Sequence, residues 1–203
     1  MTRSTTNRLS RRQTLALAAG AACLAALPAR ALTTAQARQL IDGAVADINA
    51  IIGSGKSEAG MYRDFEQVFA RYADVPTIAR FALGPTARSA SPAELSAFTK
   101  AFQGYMARKY GKRFREFQGT RIEVVGAREV KSFFEVQAIA RTPGQSPYAV
   151  SFMVSDRSGA NKFFDMLIEG VSLIKTEQTE IGAMLDRRGG SIAKLAQDLQ
   201  SMG

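Results

Sequence analysis

Two acidic side chains in or beside an apolar strand are the residues best suited to chemistry. Asp165 follows the pair Phe163 and Phe164, and Glu169 comes four residues later. A buried carboxylate near Tyr148 could act as a base with an oxyanion partner, as in isomerase sites. The alternative is structural, because a carboxylate can also bond to backbone amides or an arginine, or face solvent. The residues alone leave both interpretations open.

Several kinds of catalysis are excluded by residues that the chain lacks. It contains no histidine, and its one cysteine is Cys23. His-based acid–base catalysis and the usual zinc and iron sites are therefore excluded, and no cofactor is expected. Cys23 is either a lipidation site preceded by a poor lipobox, Gly20–Ala22, or a small apolar residue in an apolar run. Removal of this segment would leave no thiol for a disulfide or a metal.

A band of basic side chains occupies one short stretch of a predicted helix. Its members are Arg108, Lys109, Lys112, Arg113 and Arg115. Such a band could meet lipid phosphates or an acidic partner. It is equally consistent with the solvated face of a helix, so the pattern favours neither interpretation.

The acidic residues belong to a predicted meander of strands between Arg121 and Ser172. Every second residue is apolar over Phe134–Ala140 and again over Tyr148–Val154. Alternation with a period of two predicts half-buried antiparallel strands. Breaks between strands are predicted at Gly126, at residues 142–147 and at residues 155–159, where turn-forming residues gather. The inner side of this sheet is mostly apolar, which suggests that the protein holds an apolar molecule.

Helices are predicted before and after this sheet. Apolar residues recur at helical spacing from 34 to 52, from 61 to 72, from 91 to about 117, and after residue 172. Asp74 is a predicted cap for a short helix, and Ser91 with Glu94 forms a predicted capping box. The layout predicts an α+β fold: a curved antiparallel sheet of about four strands packed by helices, in one domain with a helical annex.

An aromatic stripe on the longest predicted helix has two interpretations. Helical stripes usually form plain core, but this one could also line a ligand cavity. All 12 phenylalanines follow residue 32, which gives more apolar surface than a compact core of this size requires. The stripe consists of Leu95, Phe98, Phe102, Tyr105, Met106, Tyr110, Phe114 and Phe117.

Residues 1–31 resemble an export signal. Basic residues, among them Arg11 and Arg12, precede an uncharged run, and Ala29–Ala31 fits a small-x-small cleavage rule. The signal is either of the twin-arginine type or an ordinary secretory signal with two adjacent arginines. Its removal lowers the net charge from +9 to +4, with 22 basic and 18 acidic residues left. Nucleic-acid binding loses its support, and a mature domain of residues 32–203 in the periplasm is expected.

Three motifs resemble the MlaC (toluene-tolerance) family of periplasmic lipid-binding proteins. They are the segment 74–84, the aromatic helix with Phe98 and Phe102, and the run 164–173. The resemblance covers nearly the whole mature chain, most clearly from Phe69 to Leu199. The sequence departs from the family pattern before Lys162, where the family usually has Trp, and at residues 175–178.

Membership of this family would imply a fold and a role. The fold would be a cone related to nuclear transport factor 2, with an apolar pocket inside. The role would be a soluble carrier, not an enzyme, that passes phospholipid between an outer-membrane lipoprotein complex and an inner-membrane ABC transporter. A hopanoid-associated branch of the family makes a polycyclic lipid an alternative cargo. An enzyme on the same scaffold and a solid-core adaptor protein are the other two hypotheses.

Ten residues are expected to bind the lipid tails in a pocket near the upper end of the usual range of about 300–1,000 Å3. Three come from the aromatic helix and would close the pocket, and the others come from the inner face of the sheet. They are Phe98, Phe102, Tyr105, Phe134, Val136, Ala138, Val150, Phe152, Met166 and Ile168.

Overall fold

The computed structural model describes residues 32–112 and 119–203. In these ranges the helices are α1 (Thr34–Ile52), α2 (Glu58–Tyr72), α3 (Val75–Ala82), α4 (Pro92–Gly111), α5 (Leu173–Asp186) and α6 (Ile192–Leu199), with a 3-10 helix at Gly84–Arg88. The strands are β1 (Arg121–Val130), β2 (Phe133–Arg141), β3 (Tyr148–Ser155), β4 (Lys162–Ile168) and β5 (Val171–Ser172). The predicted export signal, and the end of the long helix with Phe114 and Phe117, lie outside the described residues.

Each α-helix in the described ranges begins where a polar side chain accepts a backbone hydrogen bond. Thr33 and Ser91 form capping boxes at the starts of α1 and α4, and Asp74 caps α3. These caps satisfy amide groups that have no partner inside the first helical turn. The predicted starts of α3 and α4 are therefore confirmed.

The described strands form one open antiparallel sheet in the order β1-β2-β3-β4-β5. This arrangement confirms the predicted α+β fold, with a fifth strand of only two residues added to the expected four. Along the sheet, Ala138 pairs with Val150, which pairs with Ile168. Paired residues of antiparallel strands project from the same face, so the apolar residues share one side of the sheet.

Gly126 does not end a strand, so the predicted break at this position is wrong. The register of β1 against β2 shifts between Val124 and Gly126, which marks a β-bulge, and β1 continues to Val130. A bulge accommodates one extra residue and bends a strand without ending it. The chain turns instead at Lys131, which has a positive φ of 55°.

Two large apolar clusters hold the elements together. The first, here called the helical core, joins the end of α2 with α3, α4, α5 and α6, and includes Phe98 and Phe102. The second, here called the sheet core, joins α1 with the inner face of the sheet and includes Ile41 and Val136. The space between these two clusters contains the candidate site.

Candidate functional site

An apolar pocket lies between the sheet and the surrounding helices, with a cavity volume of about 190 Å3. This volume is smaller than the expected one, which was near the upper end of the usual range of about 300–1,000 Å3. The lining consists of Ala44, Val45, Ile48, Ile52, Phe65, Val68, Phe69, Ile78, Met106, Tyr110, Thr120, Ile122, Ala140, Tyr148, Val150, Phe152, Phe163, Phe164, Asp165, Met166, Ile168, Leu173, Ile174 and Glu177.

A row of phenylalanine rings crosses one wall of this pocket from α2 to the sheet. The ring centroids of Phe65 and Phe69 are 6.2 Å apart, and those of Phe69 and Phe163 are 6.4 Å apart. Phe163 in turn meets Phe152 edge to face at 5.7 Å. Aromatic pairs at these distances attract each other beyond their burial alone. The row therefore connects α2 with β3 and β4 while leaving space beside it.

Asp165 lies in the pocket wall, but its carboxylate is already occupied. Oδ1 accepts from the backbone amides of Met166 at 2.8 Å and Ile174 at 3.0 Å. Oδ2 accepts from the hydroxyl of Ser172 at 2.6 Å. Glu169 likewise accepts from the backbone amide of Ala149. Both carboxylates make the structural bonds that the alternative interpretation predicted, and Asp165 fixes the turn from β4 into α5.

Glu177 is a fully buried polar residue in the lining of the pocket. It is 0% exposed, and its Oε1 accepts from Lys109 Nζ at 2.7 Å and from the hydroxyl of Tyr110. Its Oε2 has no hydrogen-bond partner in the described part of the chain. Such an unsatisfied buried acceptor costs about 1–3 kcal/mol, because its water has been removed and not replaced.

Lys109 and Tyr110 are electrostatically coupled to this carboxylate. Burial would lower the pKa of Lys109, but hydrogen bonds to Glu177 and Glu180 outweigh it and hold this pKa above its ordinary value. Burial and the hydrogen bond to Glu177 both raise the pKa of Tyr110. Lys109 therefore stays charged, and Tyr110 stays a neutral donor, throughout the physiological pH range.

Four of the ten residues expected at the pocket belong to its lining. They are Val150, Phe152, Met166 and Ile168, which lie on the inner face of β3 and β4. Ile168 is also 37% exposed, so this wall reaches the protein surface beside the turn into β5. Their contact with a lipid stays a prediction.

The other six expected residues lie away from the pocket. Phe98, Phe102 and Tyr105 face the helical core, because the aromatic stripe of α4 turns towards its neighbouring helices. α4 contributes Met106 and Tyr110 to the lining instead. Phe134, Val136 and Ala138 are on the expected face of the sheet, but they pack in the sheet core, where α1 covers this face.

The helical hairpin of α1 and α2 supplies lining residues that were not expected. Ile48 and Ile52 come from α1, while Phe65 and Val68 come from α2. Their apolar spacing was visible in the sequence and was interpreted as ordinary helix packing. Glu177 was also missed, although it follows Ile174 by three residues and precedes Ile181 by four, the spacing of a single helix face.

Two residues of the predicted basic band make hydrogen bonds and ion pairs within the protein. Arg108 donates to the carbonyl oxygens of Met202 at 2.8 Å and Leu199 at 2.5 Å, at the end of α6. Lys109 binds the two glutamates of α5. Arg113 and Arg115 lie outside the described residues. Arg108 and Lys109 therefore connect α4 to α5 and to the end of α6, while Lys112 is exposed.

No group of three His, Cys, Asp and Glu side chains in residues 32–112 and 119–203 could hold a metal ion. Over the same ranges, no helix combines the length and the apolar character needed to cross a membrane.

An open antiparallel sheet that shares an apolar pocket with the helices around it defines an α+β protein with an internal cavity. The family model described as MlaC protein matches residues 38–201. This chain therefore belongs to the MlaC family, as its motifs indicated.

A solved structure with the same fold is a phospholipid-binding protein from Ralstonia solanacearum, determined in complex with a phospholipid. The two chains are 20% identical and superpose with a TM-score of 0.67. The match covers 81% of this chain and 95% of that one. At this identity the likeness establishes the fold.

Proposed function

We propose that this protein is a periplasmic lipid carrier that encloses acyl chains and carries phospholipid between the two membranes. The observation that carries the proposal is the apolar pocket between sheet and helices, in a chain of the MlaC family. The Ralstonia solanacearum protein of the same fold binds phospholipid, which supports the same class of cargo here.

The energetics of exposing lipid tails explain why such a carrier needs a pocket of this character. Each methylene group contributes about 0.8 kcal/mol on burial, so a sixteen-carbon chain costs roughly 12 kcal/mol to expose to water. A carrier lowers this barrier by surrounding the tails with apolar side chains. The headgroup can remain in water, so transport needs no catalytic group.

The cavity must widen to take two acyl chains. Its volume of about 190 Å3 is below the usual 300–1,000 Å3 of ligand pockets. The wall best suited to move is the tip of the α1–α2 hairpin, where the small apolar cluster has only Ile51 and Met61 buried. Few buried contacts imply a low free energy of local opening. Lipid entry is therefore proposed to displace the hairpin tip from the sheet.

The proposed route of the lipid follows from the family to which the chain belongs. Export by the amino-terminal signal would place the mature protein in the periplasm. There the carrier would exchange lipid with an outer-membrane lipoprotein complex on one side and an inner-membrane ABC transporter on the other. A hopanoid-type lipid is the alternative cargo, and identification of the extracted lipid decides between them.

Native mass spectrometry of protein purified from the periplasm tests this function. The expected result is protein with bound phospholipid, which organic extraction and tandem mass spectrometry then identify. Delipidated protein should also take up labelled phospholipid from vesicles. Protein that carries no lipid and refuses the labelled phospholipid would overturn the proposal.

The rival hypothesis of an isomerase or dehydratase assigns the reaction to Asp165 and Tyr148. The contacts of Asp165 favour the carrier, because its oxygens already accept three hydrogen bonds from Met166, Ile174 and Ser172. A general base needs a free lone pair directed at its substrate.

A further inference from the structure

We infer that Glu177 selects a lipid that carries a hydroxyl group on the part enclosed by the pocket. This inference rests on the proposed lipid binding and concerns the chemistry of the cargo. Its basis is an acceptor without a donor in the wall of an otherwise apolar cavity.

The carboxylate of Glu177 is held from one side. Lys109 and Tyr110, both on α4, donate to the same oxygen, Oε1. Glu177 belongs to the residues that line the cavity, and Oε2 is its oxygen without a donor, so a ligand that widens the cavity would reach this atom. Because α4 fixes the position of Oε1, the second oxygen cannot turn to either of these donors without breaking an existing bond.

Two other polar groups of the lining have hydrogen bonds within the protein, and the half-buried Tyr148 also borders the cavity. Asp165 accepts from two amides and a hydroxyl. The hydroxyls of Thr120 and Thr142 bond to each other at 2.8 Å. Among the buried side chains that the structure describes, Glu177 Oε2 is the atom left unsatisfied. Glu177 Oε2 is therefore the buried acceptor of the lining at which a donor group of the ligand gains a partner.

The chemistry of this acceptor narrows the class of ligand. The carboxyl group of Glu177 already accepts hydrogen bonds from Lys109 and Tyr110, and its second oxygen is an acceptor too, so the ligand must supply a donor. A plain acyl tail has none, and a phosphate or carboxylate group would place a second acceptor beside the first. An ammonium group is a donor, but its transfer to a fully buried site requires the loss of its hydration. A neutral lipid hydroxyl satisfies Oε2 at the lowest cost.

A competition between two matched lipids tests the inference. Delipidated full-length protein is mixed with phosphatidylcholine vesicles that contain equal amounts of octadecanol and octadecyl methyl ether. The protein is then recovered, and mass spectrometry of the extract gives the ratio of the two bound lipids. The ether keeps the oxygen and the chain but has no donor. We expect the alcohol to be preferred about tenfold, the ratio that one hydrogen bond to a charged group gives at the lower end of its range.

Two variants test whether the preference for the alcohol over the ether depends on Glu177. The variant Glu177→Leu should bind both lipids equally, because the acceptor is gone while the apolar wall remains. The variant Glu180→Leu is the matched control, since it also removes one of the two carboxylates bound to Lys109. Glu180 is outside the pocket lining, so this variant should keep the preference.

The outcomes separate this inference from the proposed function. Equal binding of alcohol and ether by the native protein, or a preference that survives in Glu177→Leu, would overturn the role of Glu177 while lipid binding stands. Uptake of neither lipid, together with refusal of labelled phospholipid, would overturn lipid binding itself. A parallel arm with octadecylamine shows whether an ammonium group competes, and binding of the amine above the alcohol would contradict the choice of a hydroxyl. If Glu177→Leu fails to fold, the native ratio still decides.

Discussion

The helical core and the pocket are built from the same kind of apolar helix face, yet only the helical core is filled. Phe98 and Phe102 of α4 are 0% exposed in the helical core. Ile48 and Val68, on the α1–α2 hairpin, are half-buried and face the cavity. The same residue types therefore give packed core in one region and the wall of a cavity in the other.

The difference lies in how many elements cover each face. In the helical core, α4 is surrounded by α3, α5, α6 and the end of α2, and their side chains fill the space between them. At the hairpin tip, the apolar cluster contains only residues of α1 and α2. Coverage by distant elements, more than the apolar pattern itself, decides whether a face becomes core or cavity.

Truncation of a helical-core residue should produce the largest loss of stability. Phe102→Ala should lower the free energy of unfolding by about 3–5 kcal/mol, because it leaves a void in a filled region. Val68→Ala, on the pocket wall, should cost about 1 kcal/mol because the side chain is half-buried beside existing space. Urea denaturation measures both changes. Equal losses would mean that the pocket wall is packed as tightly as the core.

A matched pair of enlargements on β2 tests the boundary between cavity and packed sheet. Ala140 lines the pocket, while Ala138 is two residues away on the same face under α1. Ala138→Phe should destabilise the protein by about 1–3 kcal/mol through overpacking. Ala140→Phe should place its ring in the cavity, retain the fold and reduce lipid uptake from vesicles. Circular dichroism and a labelled-lipid assay distinguish these results, and normal lipid uptake by Ala140→Phe would contradict the placement of the pocket.

Asp165→Asn tests whether the pocket wall is a scaffold or a reactive surface. The amide keeps one oxygen for the backbone donors but loses the charge that strengthens all three bonds, so stability should fall by about 1.5 kcal/mol. Lipid uptake should persist once the variant is folded. Glu169→Gln is the control, because Glu169 is exposed and should change stability little. A variant that keeps native stability and lipid uptake but loses catalytic turnover would instead support the enzyme hypothesis.

The sequence was sufficient to predict the main helices and strands and the apolar face of the sheet. Period-two alternation predicted which residues of β2 and β3 share a face, since that property depends only on local geometry. It could not show that α1 covers Val136 and Ala138 or that the stripe of α4 faces α6, because such coverage depends on long-range packing. The bulge at Gly126 was missed because it depends on the register with β2.

The smallest expected losses of stability come from removing one helix cap at the pocket wall and one in the helical core. Ser57 caps α2 by accepting from the amide of Gly60, and Ser191 caps α6 by accepting from that of Lys194. Replacement by alanine should cost about 1 kcal/mol in each case.

The two losses of stability should nevertheless differ in extent: one should affect the whole protein and the other only α2. α6 has four apolar residues buried in the helical core, Ile192, Leu195, Ala196 and Leu199. That helix therefore cannot open alone, and Ser191→Ala should lower global stability. In the first half of α2 the buried residue is Met61, so Ser57→Ala should open the helix locally and raise its amide exchange about fivefold. Hydrogen exchange with mass spectrometry resolves the two patterns. If Ser57→Ala accelerated exchange uniformly along the chain, the hairpin tip would belong to the same cooperative unit as the helical core. The pocket wall could then not open locally, as the proposed lipid entry requires.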